Sequence, residues 1–233
     1  MSLFAIGDLH LPGGQEKPMS IFGSQWDRHF LCISESWNEL VRPEDTVLIP
    51  GDISWAMHLD QAREDLQLIG RLPGKKILIR GNHDYWWSSI SRVRAALPEG
   101  MYALQQDALA ADGCVICGTR GWLIPTAETP LDDRDRKLYQ RELGRLDLAL
   151  ESARSLAAGR PVVVMLHDPP LLKNQKTSGF TARMEKAGVR LCVYGHLHGA
   201  GIQAGFQGTQ GGVRYELTSC DSQQFSVRKI NFL

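Results

Sequence analysis

The chain has 233 residues, of which 43% are hydrophobic and 22% are charged, and its 26 basic and 26 acidic residues cancel to a formal net charge of zero. This composition is typical of a soluble globular protein that buries a sizeable core. The balanced charge provides no overall attraction to nucleic acid or to anionic membranes. No apolar run approaches the roughly 18 residues of a membrane span.

The N-terminal segment and the cysteines indicate the compartment. MSLFAIGDLHL has no basic stretch before its apolar residues, and it reaches Asp8 and His10 too early for a signal peptide. The five cysteines are scattered, and Cys114 and Cys117 form one CxxC in an apolar run without a second pair to complete a zinc site. We therefore expect structural thiols and a reducing, cytoplasmic compartment.

Short apolar runs and helical patterns alternate along the chain. The runs predict buried strands at 3–6, 46–49, 76–79, 114–117, 162–166 and 190–194. Apolar residues at three- and four-residue steps predict helices at about 26–41, 59–69, 88–97 and 132–158. Gly-rich, alternating segments after residue 200 predict hairpins, and 11–20 and 118–133 are predicted as long loops. The order favours a layered α/β fold, with residues 1–233 in a single domain.

Polar side chains follow five of the predicted strands at their C-terminal ends. They are Asp8 and His10 after 3–6, Asp52 after 46–49, Asn82 after 76–79, His167 after 162–166, and His196 and His198 after 190–194. Each of these alone is more often a turn residue or a hydrogen-bonded buried histidine. Because open α/β sheets bind ligands at this edge, the whole set predicts a metal site there.

The number and type of these donors predict two ions. Two carboxylates, one amide oxygen and four imidazoles exceed what one ion can bind while leaving positions open for substrate. Two ions that share a bridging carboxylate fit better, and in hydrolytic sites of this kind they lie ~3.5–4 Å apart. His196 and His198 leave the tight turn of GHLH in different directions, so each can serve a different ion.

The ordered series Asp-x-His, Gly-Asp, Gly-Asn-His-Asp, His and Gly-His-x-His over residues 6–199 resembles the calcineurin-like metallophosphoesterase superfamily. The resemblance implies a four-layer sandwich of two mixed β-sheets flanked by helices, with the dimetal site at the C-terminal strand ends. It also implies that a hydroxide bridging the two ions attacks phosphorus. The implied ligands are Asp8, His10 and His198 for the first ion, Asn82, His167 and His196 for the second, and Asp52 as the bridge.

The resemblance gives further roles to residues near these ligands. His83 is similar to the family's histidine that contacts the phosphoryl oxygen and protonates the leaving group, with Asp84 fixing its tautomer. Protein Ser/Thr phosphatases of the superfamily carry Asp-Arg-Gly after the second motif, whereas this chain has GDISWAM there. We expect instead that substrate contacts come from Arg80, Arg120, Trp122 and Tyr85. Trp86 and Trp87 are predicted to be core residues rather than pocket residues.

GDISWAM, RGNHDYWW, GTRGW and VYGHLHG resemble a bacterial subgroup of phosphohydrolases without an assigned substrate. A small organic or nucleotide phosphoester is therefore the expected substrate. The alternatives are a nuclease or cyclic-nucleotide phosphodiesterase, which the zero net charge does not support, and a non-catalytic binding module on the same fold. Mn²⁺ is the first choice of metal, and Fe, Zn²⁺, Ni²⁺ or Co²⁺ also suit the donors. The sequence leaves the oligomeric state open.

Overall fold

The computed structural model describes residues 1–14, 19–111, 113–126 and 129–231. Within these ranges the strands are β1 Leu3–Ala5, β2 Thr46–Ile49, β3 Lys75–Leu78, β4 Met101–Ala103, β5 Ala108–Ala111, β6 Cys114–Thr119, β7 Val162–Leu166, β8 Leu191–Tyr194, β9 Gly208–Gln210, β10 Val213–Leu217 and β11 Arg228–Ile230. The α-helices are α1 His29–Leu40, α2 Leu59–Gly70, α3 Ile90–Ala96, α4 Asp133–Ala157 and α5 Gly179–Lys186.

The strands form two mixed sheets. The first has the order β11-β1-β2-β3-β4, in which β1 to β4 are parallel and β11 is antiparallel to β1. The second has the order β5-β6-β7-β8-β10-β9, with four parallel central strands between antiparallel edge strands. The carboxyl ends of the parallel strands therefore supply most of the loops at one edge of each sheet.

Three apolar clusters separate the layers. One fills the space between the two sheets and includes Leu48 and Ile77 of the first sheet and Val163 and Val193 of the second. Another packs α1, α2 and α3 on the outer face of the first sheet, and a third packs α4 and α5 on the outer face of the second. The predicted four-layer sandwich of two mixed sheets flanked by helices is confirmed.

The predicted elements agree with the structure closely in the first 200 residues. The six predicted strands and four predicted helices are present, and α1 begins three residues later than predicted. Helix α5 was not predicted, because its eight residues are too few for the helical pattern to stand out. Its N-cap, Ser178, accepts hydrogen bonds from the backbone N–H groups of Phe180 and Thr181.

The region after residue 200 agrees with the prediction only in part. Strands β9 and β10 form the predicted antiparallel hairpin, but Gly199–Ala204 is a 3-10 helix, and β11 pairs with β1 of the other sheet.

The predicted loop at 11–20 contains residues 15–18 and the loop at 118–133 contains residues 127–128, all of which lie outside the described ranges. Among the described helices none has the length and apolar character needed to cross a membrane.

Backbone hydrogen bonds continue past the strand ends and tie the loops together. The N–H of His10 donates to the Asp52 carbonyl at 3.0 Å, so the loops after β1 and β2 stay in register. The N–H of Gly7 donates to the Thr218 carbonyl at 2.6 Å, which joins the first sheet to the loop after β10 in the second. These bonds bring the polar ends of both sheets to one place.

Candidate dinuclear metal centre

All seven predicted ligand side chains meet where the C-terminal edges of the two sheets adjoin. Asp8, His10 and His198 offer one donor atom each within 4.8 Å of one another, and the same is true of Asp8, Asp52 and His167. In the first group, the His10 Nε2 lies 3.4 Å from the His198 Nε2, which lies 3.5 Å from the Asp8 Oδ1. This geometry provides one oxygen and two nitrogen donors for a single ion.

The other side of the centre has a second convergence of donors. The Asn82 Oδ1 lies 2.5 Å from the His167 Nε2 and 2.9 Å from the His196 Nδ1, and these two nitrogens are 3.2 Å apart. The Asp52 Oδ2 lies between the two groups, 3.6 Å from the His167 Nε2 and 3.9 Å from the His10 Nε2. Asp52 is therefore placed to bridge two ions.

The donor set fits divalent cations. Asp8, Asp52 and Asp84 are almost completely buried, and a buried carboxylate is costly unless it is paired, hydrogen-bonded or metal-bound. Carboxylate, amide and imidazole donors without a thiolate suit Mn²⁺, Fe, Zn²⁺ and similar ions. The Nδ1 of His167 lies 3.0 Å from the Pro50 carbonyl oxygen, so it donates there and leaves Nε2 free to coordinate.

Four of the seven predicted ligands have a strained backbone. Their φ angles lie in the left-handed region that residues other than glycine rarely adopt. The angles are 60° for Asp8, 45° for His10, 52° for Asp52 and 73° for His196. Such strain persists when the surroundings enforce it, and it is concentrated at functional sites. Here the strain turns the side chains off the strand direction and towards the centre.

Two glycines allow the carboxylates to approach the backbone closely. A Cβ on Gly81 would lie 2.1 Å from the Asp52 Oδ1, and a Cβ on Gly195 would lie 2.2 Å from the Asp8 Oδ2. Any larger residue at either position would displace the carboxylate. The glycines of RGNHD and YGHLHG are thus part of the site.

Asp84 does not have the predicted role of fixing the tautomer of His83. Its buried carboxylate accepts five hydrogen bonds, from the backbone N–H groups of Asp52, Ile53, Ser54 and Gly81 and from the Trp86 indole, at 2.8–3.2 Å. The Nδ1 of His83 is buried and has no hydrogen-bond partner among the described residues. Asp84 instead fixes the loop that carries Asp52, because backbone donors surround both of its oxygens.

Burial and the neighbouring charged groups shift the pKa values of several site residues. Burial would raise the pKa of Asp8, but the hydrogen bond with His198 and the neighbouring imidazoles hold it at about 2. Burial raises the pKa of Asp52 to about 7 and lowers the pKa of His10 to about 3. Burial would also lower the pKa of His198, but its hydrogen bonds with Asp221 and Asp8 raise it to about 10. Shifted pKa values of this kind cluster at functional sites.

Two acidic residues that the sequence analysis did not select lie next to the predicted ligands. The Asp221 Oδ1 is 2.8 Å from the His198 Nδ1, so Asp221 orients that imidazole and leaves Nε2 facing the centre. The Asp168 Oδ1 is 3.9 Å from the His196 Nε2, and its Oδ2 is 3.5 Å from the Arg120 Nε. Both residues could have been selected from the sequence. Asp168 directly follows His167, and Asp221 follows the parallel strand β10, as the predicted ligands follow other strands.

The predicted substrate-binding residues lie around the centre rather than in one group. Tyr85 is 51% exposed, and its ring centroid is 6.2 Å from that of His83. The Arg120 guanidinium lies 4.4 Å from the centroid of the Trp122 ring. Arg80 is half-buried. Trp86 and Trp87 are buried in the core, as predicted.

A cavity of about 280 Å³ lies next to three of the predicted site histidines, His10, His83 and His198. Trp26 and Trp55, which the sequence analysis did not select, form part of its wall. The Trp55 ring is stacked on that of His10, with centroids 4.9 Å apart and planes at 19°. None of the four predicted substrate-binding residues lines this cavity.

This fold and donor set define a metal-dependent phosphoester hydrolase, and sequence comparison supports that class. A family model described as calcineurin-like phosphoesterase matches residues 1–200. The chain therefore belongs to the calcineurin-like phosphoesterase family. No protein of curated function gives a sequence match to the chain.

Two solved structures have a similar fold. The phosphopantetheinyl hydrolase PptH from Mycobacterium tuberculosis has a TM-score of 0.57 and 17% sequence identity, with 98% of this chain and 95% of that chain covered. A protein of unknown function from Aquifex aeolicus has a TM-score of 0.50 and 15% identity, with the same coverage. At these identities the likeness establishes the fold, and it leaves the substrate to be argued from the site.

Proposed function

We propose that this protein uses two divalent metal ions to hydrolyse a small organic or nucleotide phosphoester. The observation that carries the proposal is the convergence of seven oxygen and nitrogen donors in two groups, with the Asp52 carboxylate between them. When bound, the two ions would supply a nucleophilic hydroxide at neutral pH and would neutralise charge on the phosphoryl oxygens. Mn²⁺ is the ion we would test first, because the site combines carboxylate and amide oxygens with imidazoles.

In this proposal His83 donates a proton to the oxygen of the leaving group. Its Nε2 lies 4.0 Å from the Asp52 Oδ2, so it faces the centre, but it belongs to neither of the two donor groups. Its side chain is 34% exposed, which leaves it accessible to a substrate. A general acid in this position typically contributes ~10²–10⁴ in rate.

Arg120 and Arg80 are proposed to attract the phosphoryl group from the side of the centre occupied by Asp168. Arg120 pairs with Asp168, which in turn lies beside His196. The Nε of Arg80 is buried without a hydrogen-bond partner in the part of the chain that the structure describes, and the Nε of Arg120 has only the 3.5 Å ion pair with Asp168. A buried guanidinium N–H without a partner is costly, and an anionic ligand would satisfy it.

We further propose that the protein works in the cytoplasm on a small phosphoester and without a membrane partner, and that nucleic acid is the less favoured substrate. The five cysteines are free thiols, and four of them are buried, which suits a reducing compartment. The zero net charge supplies no general attraction for polyanions.

The test is hydrolysis of bis(4-nitrophenyl) phosphate and of 4-nitrophenyl phosphate by Mn²⁺-reconstituted protein, with Asp52→Asn as the matched variant. We expect turnover of at least one ester, and we expect loss of that turnover in Asp52→Asn because the bridging carboxylate is removed at nearly constant volume. Diester turnover would favour nucleotide diesters, and monoester turnover alone would favour phosphorylated metabolites. Failure of the metal-loaded protein to hydrolyse either ester would contradict the proposal and favour a binding module.

A further inference from the structure

The cavity beside the centre has a floor and walls of different chemistry. Its floor is formed by the site histidines His10, His83 and His198. Its walls are largely apolar and consist of Met19, Phe22, Trp26 and Trp55, with Gln25 as the polar exception. A group that enters the cavity therefore meets the reacting centre at one end and carbon surface on the sides.

The described part of the cavity wall carries no charged side chain. None of the described residues that line the cavity is Lys, Arg, Asp or Glu. Because a charged group loses hydration in such surroundings without gaining a partner, the occupant of the walls is uncharged. The anionic phosphoryl group belongs instead at the floor and on the side of Arg120, which is not part of the cavity lining.

The position of His83 indicates which part of a substrate enters the cavity. A general acid must come within hydrogen-bond reach of the leaving oxygen. The group attached to that oxygen therefore extends from the point where His83 acts, and His83 lines this cavity. The cavity consequently receives the leaving alcohol rather than a second ester substituent.

The walls are held in place by contacts that do not depend on a ligand. The Trp55 Nε1 donates to the Met19 Sδ at 3.3 Å, and the Trp55 ring packs on the rings of His10 and His83 with centroids 4.9 and 4.5 Å away. The Trp26 ring makes edge contacts with His198 and Phe225 at 5.5 and 5.1 Å. Flat aromatic walls of this kind favour offset or edge-to-face contact with another ring.

We infer that this cavity binds the leaving alcohol of the substrate, and that this alcohol carries an uncharged aromatic or heteroaromatic ring. The volume of about 280 Å³ lies at the lower end of the range of small-molecule pockets, so it accommodates a compact ring system. The inference rests on the proposed function, because it uses the role of His83. The inference makes Met19 and Phe22 part of the surface that selects the leaving alcohol of the substrate.

The chain offers a matched pair of variants for the test. Phe22 and Ile21 are adjacent in the 3-10 helix Met19–Phe22 and are exposed by 58% and 75%, but Phe22 lines the cavity and Ile21 does not. Neither residue is one of the predicted metal ligands. Phe22→Ala removes part of a wall, and Ile21→Ala removes a similar amount of apolar surface next to it.

The experiment compares 2-naphthylmethyl phosphate with ethyl phosphate, as monoesters or as methyl diesters according to the class of ester that the full-length, Mn²⁺-loaded protein hydrolyses. The two alcohols have similar acidity, so a difference reflects binding rather than leaving-group chemistry. We expect kcat/KM to be at least about tenfold higher for the naphthylmethyl ester. Phe22→Ala should reduce the ratio of the two kcat/KM values about three- to tenfold, whereas Ile21→Ala should change that ratio little. Equal values for the two esters, or equal losses in both variants, would overturn the inference.

A binding measurement separates this inference from the proposed function. Isothermal titration of 2-naphthylmethanol, which contains no phosphate, should show binding that Phe22→Ala weakens and Ile21→Ala does not. If no ester is hydrolysed, the proposed function fails while this titration still decides whether the cavity accepts a ring. If esters are hydrolysed but the alcohol does not bind, or binds equally to both variants, the inference fails alone.

Discussion

The loops of the two sheets hold their ligands in different ways. In the first sheet, the loops that carry Asp52 and Asn82 are joined by the buried Asp84 carboxylate, which accepts four backbone N–H groups and one indole. In the second sheet, the loop that carries His196 and His198 is held by carboxylates outside it. The His196 N–H donates to Asp8, and His198 pairs with Asp221.

The ligands in the first-sheet loops after β1 and β2 differ in exposure from those in the second-sheet loop after β8. The side chains of Asp8 and Asp52 are 0% and 2% exposed, whereas those of His196 and His198 are each 30% exposed. Interactions between buried groups are costly to break, whereas partly exposed pairs are screened by solvent. We therefore expect loss of the buried Asp84 carboxylate in the first-sheet loops to affect folding, and loss of Asp221 beside the second-sheet loop to affect metal binding.

The largest expected effect concerns catalysis within the first-sheet loops. His83→Ala should lower kcat by ~10²–10⁴ because the general acid is lost. The protein should keep its metal content and its unfolding midpoint, since His83 is partly exposed and belongs to neither donor group. The measurements are steady-state kinetics, elemental analysis and thermal unfolding. Asn82→Ala, one residue away, is the control and should lose metal. If the His83→Ala protein also lacked metal, the role of His83 as a general acid would have been assigned wrongly.

Asp84→Ala tests the stability of the first-sheet loops. The substitution leaves buried donors of Asp52, Ile53 and Gly81 without an acceptor, and we expect it to lower the free energy of unfolding by at least about 3 kcal/mol. Urea unfolding of the metal-free proteins measures the change. Asp221→Ala is the comparison variant and should cost no more than about 1 kcal/mol in the same experiment, because its partner is partly exposed. Equal losses in the two variants would remove the distinction between the loops.

Gly81→Ala and Gly195→Ala compare the two loops at equivalent close approaches. A Cβ on Gly81 would meet both the Asp52 Oδ1 at 2.1 Å and the Asp52 backbone N at 2.2 Å. A Cβ on Gly195 would meet the Asp8 carboxylate, with its nearest atom at 2.2 Å. Because a backbone atom yields less readily than the end of a side chain, Gly81→Ala should cost about 1–3 kcal/mol and exceed Gly195→Ala. Thermal unfolding of both variants decides the order, and the reverse order would contradict it.

The last expected effect is on metal affinity and concerns the orientation of His198. Asp221→Ala removes the acceptor of its Nδ1 and should weaken binding of one metal ion by about 10–100-fold, with the other ion retained. Asp221→Asn keeps an oxygen at this position and should weaken binding less. Mn²⁺ titration of the metal-free proteins measures both affinities. Loss of both ions, or equal behaviour of the two variants, would be inconsistent with an orienting role confined to one ion.

The element order in the sequence was sufficient to predict a layered α/β fold and seven candidate ligands, and the resemblance to a known family implied the four layers. Apolar runs predict buried strands from local composition, and the carboxyl ends of parallel strands meet at one edge whatever the details of packing. The sequence therefore predicted that the donor side chains after five strands, from Asp8 to His198, lie close together. The predicted bounds of helix α4 were also correct to within one residue at each end, because its 25 residues maintain one apolar stripe.

The tertiary structure alone decided which group each of these side chains contacts. Asp84 accepts from the backbone of Asp52, 32 residues earlier, and Asp221 orients His198, 23 residues earlier. Likewise Trp26 and Trp55 come together beside His10 to form a cavity wall. Periodicity and turn chemistry are local properties, whereas hydrogen-bond partners and cavity walls depend on which distant segments the packed sheets place within 3–5 Å. The residue types of the site were thus determined by the sequence pattern, and their partners by the fold.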